Sequence, residues 1–218
     1  GPLQTYLCEL YGVKFVSYMH GDLIYSMAFA FQRYSELYIW GDEYSELFND
    51  LRCVFSQKTY LPKKLDGIAS LLPPEQCAYY ATYYFSDETR ACAETIRDIF
   101  NIFKNKGLLC KIRPHPRYSD TEMLKEVFKD YYIEDPTQLS LAESITQSLY
   151  IIGLNTTVLS QAFFSGKSVV IDDVSKTGEY QELMKKKYVM LYRKHLKLSE
   201  LIKDDFKYDS SFMFWFKE

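Results

Sequence analysis

The sequence predicts an α/β protein: a Rossmann-type parallel-sheet domain over residues 73–218, preceded by a smaller, partial α/β region over residues 1–72. Three observations carry this expectation. From Pro73 onward short apolar runs alternate with stretches of helical periodicity. Helix-start signatures built from Ser, Thr, Asp and Asn stand between those runs, and Gly107, Pro136 and Gly166 punctuate the ends. Strands that alternate with helices of this length imply βαβ units, and such crossovers make neighbouring strands parallel.

In chain order, residues 77–85 read as a Tyr-rich strand. Ser86 or Asp87 is expected to cap a helix over 88–105, with Ala91, Ile96, Ile99, Phe100 and Phe103 on one side and Gly107 as the stop. Residues 108–112 form the next strand. Ser119-Asp120-Thr121-Glu122 reads as a capping box opening a helix to about Lys129. Residues 131–134 are a short strand, and Pro136 breaks the chain after it. Ser140-Leu141-Ala142-Glu143 is a second capping box, opening a helix to about Ser148. A strand over 149–153 leads to Asn155-Thr156-Thr157, which caps a helix to about Phe164. After Gly166 a last apolar strand, 168–171, closes on Asp172-Asp173. A C-terminal helical tail completes this domain.

The first region is less regular. A strand over 13–19 ends at His20-Gly21, followed by a helix over 23–33, a strand over 37–40, a helix over 43–51 and a short strand over 53–57. Pro62 and Pro73-Pro74 bracket a connector. This region is too short for a complete nucleotide-binding domain, and Gly1-Pro2 reads as the scar of a cleaved tag, which leaves room for natural residues ahead of Leu3.

At 218 residues the chain can bury one substantial core or two small ones, and 47% apolar with 25% charged residues is ordinary for a globular protein. The net charge of -3 argues against a general nucleic-acid binder. The 20 Tyr and 15 Phe suit core packing first and carbohydrate contacts second. Five cysteines without metal-ligand spacing or pairing suggest reduced thiols and a cytoplasmic setting, and no apolar stretch approaches the roughly 18 residues of a membrane span.

The densest chemical signal is Lys111-Ile112-Arg113-Pro114-His115-Pro116-Arg117. Proline fixes its own φ and pushes its predecessor toward extended geometry, so His115 rides on a stiff turn at the end of a strand. Flanked by Arg113 and Arg117 at a sheet's carboxyl edge, it suits a phosphate; the alternative is a solvated turn histidine. Gly153-Leu154-Asn155-Thr156-Thr157 supplies hydroxyls and unpaired backbone N–H groups at a strand-to-helix junction, which either binds an anion or simply caps the helix. In a parallel sheet His115 and Thr156 belong on the same edge, as does Asp172-Asp173, one carboxylate of which suits a ribose hydroxyl, a base amine or a loop cap.

Arg113-Pro114-His115-Pro116-Arg117 resembles the His-Pro motif of bacterial sialyltransferases, and Asn155-Thr156-Thr157 stands where those enzymes carry a Ser/Thr-rich motif. The spacing is most similar to the lipooligosaccharide and capsular sialyltransferases of glycosyltransferase family 52, over about residues 75–175. The resemblance implies a GT-B-like fold and a metal-independent transfer of sialic acid, or a related acidic sugar, from a CMP-sugar donor to a cell-surface glycan. No cofactor is implied beyond that donor. It gives His115 the leaving phosphate and Thr156 and Thr157 hydrogen bonds to the same phosphate. Asn155, Arg113, Pro116, Arg117 and Asp173 fall around the donor. The acceptor hydroxyl would be deprotonated by a carboxylate after the first strand, Asp87 first and Glu88 second, although the family's acidic motif is blurred here. His20 stands where related polymer transferases carry a cleft histidine. Thr-Thr in place of Ser-Ser keeps the hydroxyls.

Rival readings stay open: a capsule or teichoic-type polymer transferase using CMP-Kdo, CDP-glycerol or a UDP-sugar, and a non-catalytic nucleotide- or glycan-binding module. The basic run 185–197, which contains His195, and the aromatic tail 212–216 suit either packing within the protein or contact with the inner face of a membrane. A homodimer completing the site by segment exchange is the third arrangement.

Overall fold

The computed structural model describes residues 1–19, 26–60, 76–185 and 196–203, which group into two units: 1–19, 26–60 and 181–185 in the first, 76–180 and 196–203 in the second. His20, His195, the connector and the aromatic tail lie outside the described residues.

The first unit holds a parallel sheet in the order β1 (Val16–Tyr18), β2 (Arg33–Ile39), β3 (Val54–Tyr60). The helix α1 (Pro2–Leu10) precedes it, and α2 (Asp42–Asp50) joins β2 to β3. Leu37 and Ile39 of β2 are fully buried, as is nearly all of Tyr44 on α2. Sequence reading missed α1: Pro2 is well suited to a first helical position, but Gly1-Pro2 was read only as a scar. Thr5 ties α1 to the sheet, its hydroxyl donating to the Pro2 carbonyl (3.0 Å) and accepting the Arg33 N–H (3.0 Å). The helix expected over 23–33 is corrected where it is described: Met27–Phe29 make a single 3₁₀ turn, and Arg33 already belongs to β2. Phe31, at φ 58°, takes left-handed backbone that a right-handed helix cannot continue.

The second unit alternates as expected: β4 (Tyr79–Tyr84), α3 (Arg90–Asn105), β5 (Cys110–Arg113), α4 (Thr121–Val127), β6 (Tyr132–Ile133), α5 (Leu141–Thr146), β7 (Ser148–Gly153), α6 (Thr157–Phe164) and β8 (Ser168–Ile171). A helix α7 (Thr177–Lys185) starts here, and β9 (Leu196–Lys197) and α8 (Leu198–Leu201) follow. The six strands run in the order β6-β5-β4-β7-β8-β9, every pair parallel. This is the doubly wound order: the chain starts at the centre, builds outward on one side, then crosses back and builds outward on the other.

The register gives the sheet two unlike faces. Ala81 and Tyr83 of β4 align with Cys110 and Ile112 of β5 and with Tyr150 and Ile152 of β7. They share a buried core with Ile96, Phe100 and Phe103 of α3 and with Leu124 and Val127 of α4. The opposite face carries Thr82 and Tyr84 beside Lys111 and Arg113, all buried.

Helix starts shift from expectation. Thr89, not Ser86 or Asp87, caps α3; Asp120, not Ser119, caps α4; and Thr156, not Asn155, caps α6. Ser140 and Glu143 form the expected reciprocal box at α5. On α3 the buried alanine is Ala93, and Ala91 is exposed. Gly107 (φ 77°) and Gly166 (φ 81°) stop α3 and α6 in left-handed backbone, where a Cβ would be strained. No helix among the described residues is long and apolar enough to cross a membrane.

Candidate functional site

Doubly wound sheets bind ligands at the carboxyl ends of the strands where the order reverses, here between β4 and β7. The loops on that edge are 85–89 after β4, 114–120 after β5, 154–156 after β7 and 172–176 after β8. Two hydrogen bonds extend the ladders into them: Phe85 N–H to Arg113 O (2.9 Å) and Asp172 N–H to Gly153 O (2.8 Å). Gly153 sits at the reversal itself. A Cβ there would lie 3.1 Å from Thr156 Cγ2 and 3.5 Å from the Tyr84 carbonyl, a tight fit against the Thr156 methyl where β4, β7 and the start of α6 converge.

His115 is wired on every side but one. Its N–H donates to Ser119 Oγ (2.8 Å), its carbonyl accepts the Ser119 N–H (3.4 Å), and its Nδ1 accepts the Arg117 N–H (3.1 Å). Tyr118 stacks on the ring, with centroids 4.5 Å apart and planes 25° off parallel. An imidazole that accepts at Nδ1 carries its proton on Nε2 when neutral, so the turn presents Nε2–H as a donor from a half-buried ring. Pro116 and Arg117 are exposed beside it, and Arg117 makes no ion pair among the described residues.

The loop after β4 meets this turn directly. Ser119 Oγ, while accepting from His115, donates to the Ser86 carbonyl (2.8 Å). Glu88 folds back on its own loop: its carboxylate accepts the Ser86 N–H and hydroxyl and pairs with Lys176 at 3.3 Å, its side chain only 4% exposed. Burial alone would lower Lys176, but Glu88 and Glu179 outweigh it and its pKa is raised. Asp87, in contrast, projects into solvent, with the Ser86 hydroxyl donating to it at 3.2 Å. Of the two carboxylates, Asp87 is the one open to solvent.

At the start of α6, Thr156 Oγ1 accepts the Val158 N–H (3.4 Å). The Leu159 N–H donates to the Thr156 carbonyl (3.1 Å), which leaves the Thr157 N–H as the first-turn donor without an intrahelical carbonyl, and the helix dipole adds positive potential there. Thr157 is half-buried and Asn155 exposed on the same edge.

Arg113 departs from its expected place. It is buried, donating to Glu134 Oε2 (2.9 Å) and to the Leu139 carbonyl (2.9 Å), rather than being presented to a ligand. Lys111 meets the other Glu134 oxygen, donates to Gln147 Oε1 (2.8 Å) and lies 4.4 Å from the Tyr79 ring centroid. Ser144 donates to Glu134 (2.6 Å) and hydrogen-bonds the Tyr84 hydroxyl (2.7 Å). Burial pushes the Lys111 ammonium below the ordinary lysine value despite the opposing pull of Glu134. The alternation Lys111-Ile112-Arg113 was the signal in the sequence, since it puts both cations on one strand face against a carboxylate.

Asp173 is likewise engaged, accepting the Ser199 N–H (2.9 Å) and hydroxyl (2.6 Å) at the start of α8. Its neighbour Asp172 is fully buried and accepts from the Tyr83 hydroxyl (2.7 Å), the Ser175 hydroxyl and the Val174 and Ser175 N–H groups. One sheet edge therefore carries Asp87, Glu88, His115, Pro116, Arg117, Asn155, Thr156, Thr157 and Asp173, with Asp87, Pro116, Arg117 and Asn155 exposed and His115 half-buried. Ser119, Tyr118, Glu134 and Lys176 were not singled out from sequence. Each is an ordinary residue type whose role depends on a partner distant in the chain.

The chain is an α/β protein with a doubly wound Rossmann-type sheet and an open, histidine-bearing edge. Searches against protein-family models and against curated proteins return no match. Solved structures do match: the crystal structure of a GtfA/B complex, at 14% identity and TM-score 0.43 over 78% of this chain and 40% of that one. Another is the pneumococcal O-GlcNAc transferase GtfA in complex with UDP and GlcNAc, at 15% identity and TM-score 0.38 over 65% and 30%. The chain thus spans less than half the length of either.

Proposed function

We propose that this chain carries the donor site of a glycosyltransferase, moving sialic acid or a related acidic sugar from a CMP-sugar to a hydroxyl of a surface glycan. The observation that carries the reading is the locked Nε2–H of His115, on the same sheet edge as the N-terminus of α6. A parallel α/β unit of this order is the part of a GT-B enzyme that holds a nucleotide sugar.

In the reaction the bond between the anomeric carbon and the donor phosphate oxygen breaks as the acceptor oxygen bonds to that carbon. Asp87 takes the acceptor's hydroxyl proton. His115 Nε2–H donates to the departing phosphate, and the Thr157 N–H at the start of α6 with the Thr156 and Thr157 hydroxyls stabilises its growing charge. With Arg113 held by Glu134, Arg117 is the cation without an ion pair on these loops among the described residues. That favours a donor bearing one phosphate over a diphosphate.

Calorimetric titration with CMP, CDP and UDP tests the donor class, with CMP expected to bind tightest. Preference for UDP would move the donor to a UDP-sugar, and no binding of any of the three would remove the enzyme reading. His115→Ala is expected to lower donor turnover by roughly 10²–10³-fold and Asp87→Ala by roughly 10²–10⁴-fold. A binding-only module would bind CMP and turn over nothing.

A further inference from the structure

Tyr118 is 66% exposed, and it is the exposed aromatic among the described residues on the loops of this sheet edge. The other aromatics near the crevice, Tyr83, Tyr84 and Phe85, are buried. One face of the Tyr118 ring lies on the His115 imidazole, 4.5 Å between centroids and 25° from parallel. With that face covered and the residue two-thirds exposed, the second face is the open one. The backbone on both sides of Tyr118 is tied down: Arg117 N–H is bound to His115 Nδ1 and Ser119 Oγ bridges to Ser86. The stacked ring is thus a flat apolar surface laid against the residue that presents Nε2–H.

The geometry points to Tyr118 as the platform on which the base of the donor nucleotide stacks, its phosphate at His115 Nε2. The inference rests on the reading of His115 as the phosphate contact and adds the part of the ligand that this reading leaves unheld. A π-face accepts any base, so the platform itself supplies affinity without choosing between pyrimidines. It also explains why a large ring stays exposed: its outer face is covered when ligand is present.

The test compares CMP, UMP and ribose 5-phosphate, which keeps sugar and phosphate but lacks a base, by calorimetry on the full chain. Tyr118→Ala is expected to weaken CMP and UMP alike by roughly tenfold or more while leaving ribose 5-phosphate unchanged. Tyr118→Trp is expected to retain nucleotide affinity. Equal losses for all three ligands would make Tyr118 a prop for His115 and overturn the platform. Unchanged CMP affinity in Tyr118→Ala, or loss of CMP alone, would overturn it too. Failure of the underlying reading looks different: wild-type protein would then bind neither CMP nor ribose 5-phosphate, or would bind them equally well after His115→Ala, and the platform would fall with it.

Discussion

The Ser119 hydroxyl bridges two loops from different strands: it accepts the His115 N–H and donates to the Ser86 carbonyl, each at 2.8 Å. The turn that aims the imidazole is thereby fastened to the loop that carries Asp87, so one side chain ties together the two groups that the proposed reaction uses as proton donor and proton acceptor.

Ser119→Ala removes both bonds at once and leaves a part-buried N–H and carbonyl without this partner. A loss of about 1–3 kcal/mol is expected in urea unfolding, with turnover falling further than CMP affinity. Ser119→Thr keeps the hydroxyl and should restore most of both. Turnover in Ser119→Ala equal to wild type would show that the bridge does not set the two groups.

Asp87 and Glu88 should separate cleanly. Asp87→Ala is expected to leave thermal stability unchanged and suppress turnover. Glu88→Ala leaves Lys176 with Glu179 as its remaining carboxylate and frees the Ser86 N–H from its acceptor, lowering stability by roughly 1–3 kcal/mol. The reverse pattern in thermal melts and donor assays would exchange their roles.

Glu134→Gln should be among the most disruptive single changes, about 3–5 kcal/mol, because it leaves Lys111 and Arg113 as buried cations without a counter-charge. The variant Lys111→Met with Arg113→Met and Glu134→Gln should lose less than the single change. A larger loss in the triple variant, measured by denaturant unfolding, would contradict this.

Lys111 also predicts a pH dependence. Its folded value lies below the ordinary 10.5, so between the two values the unfolded chain binds the extra proton and stability rises with pH. The stability of wild type relative to Lys111→Met should rise across that alkaline window, since the buried tyrosines that oppose it are common to both proteins. A fall instead would mean that the Glu134 pairing outweighs burial.

Cys110 is buried and pushed up to about 12 by desolvation. The thiolate is the reactive form, so at pH 8 iodoacetamide should label half-exposed Cys8, Cys77 and Cys92 well before Cys110 and buried Cys53. Peptide mass mapping of a timed reaction checks the order, and early labelling of Cys110 would refute it.

The second unit was legible because its signals are local. Capping residues, glycine stops and apolar runs act within a few residues, and the alternation they produce admits few topologies. The Pro-His-Pro turn was legible for the same reason. Arg113 was misplaced because its partner Glu134 lies 21 residues away and becomes a neighbour only when β5 and β6 pair. The caps slipped by one to three residues because several hydroxyl and carboxylate residues stand in a row at each helix start, and backbone geometry chooses among them. In the first unit, residues 26–33 are apolar enough for a helix, but Phe31 breaks it through its backbone rather than its side-chain type.

The two unlike faces of the second sheet bear on how the chain finds its alignment. Along β5 the residues alternate Cys110, Lys111, Ile112, Arg113, so sliding the strand by one position would drive two cations among Phe100, Phe103 and Phe128 and leave Glu134 facing hydrocarbon. A sheet greasy on both sides would tolerate that slip; this one rejects it. The ionic side thus works as a proofreader of strand alignment, and through Arg113, Pro114 and His115 the proofreading extends to the imidazole at the sheet's carboxyl edge.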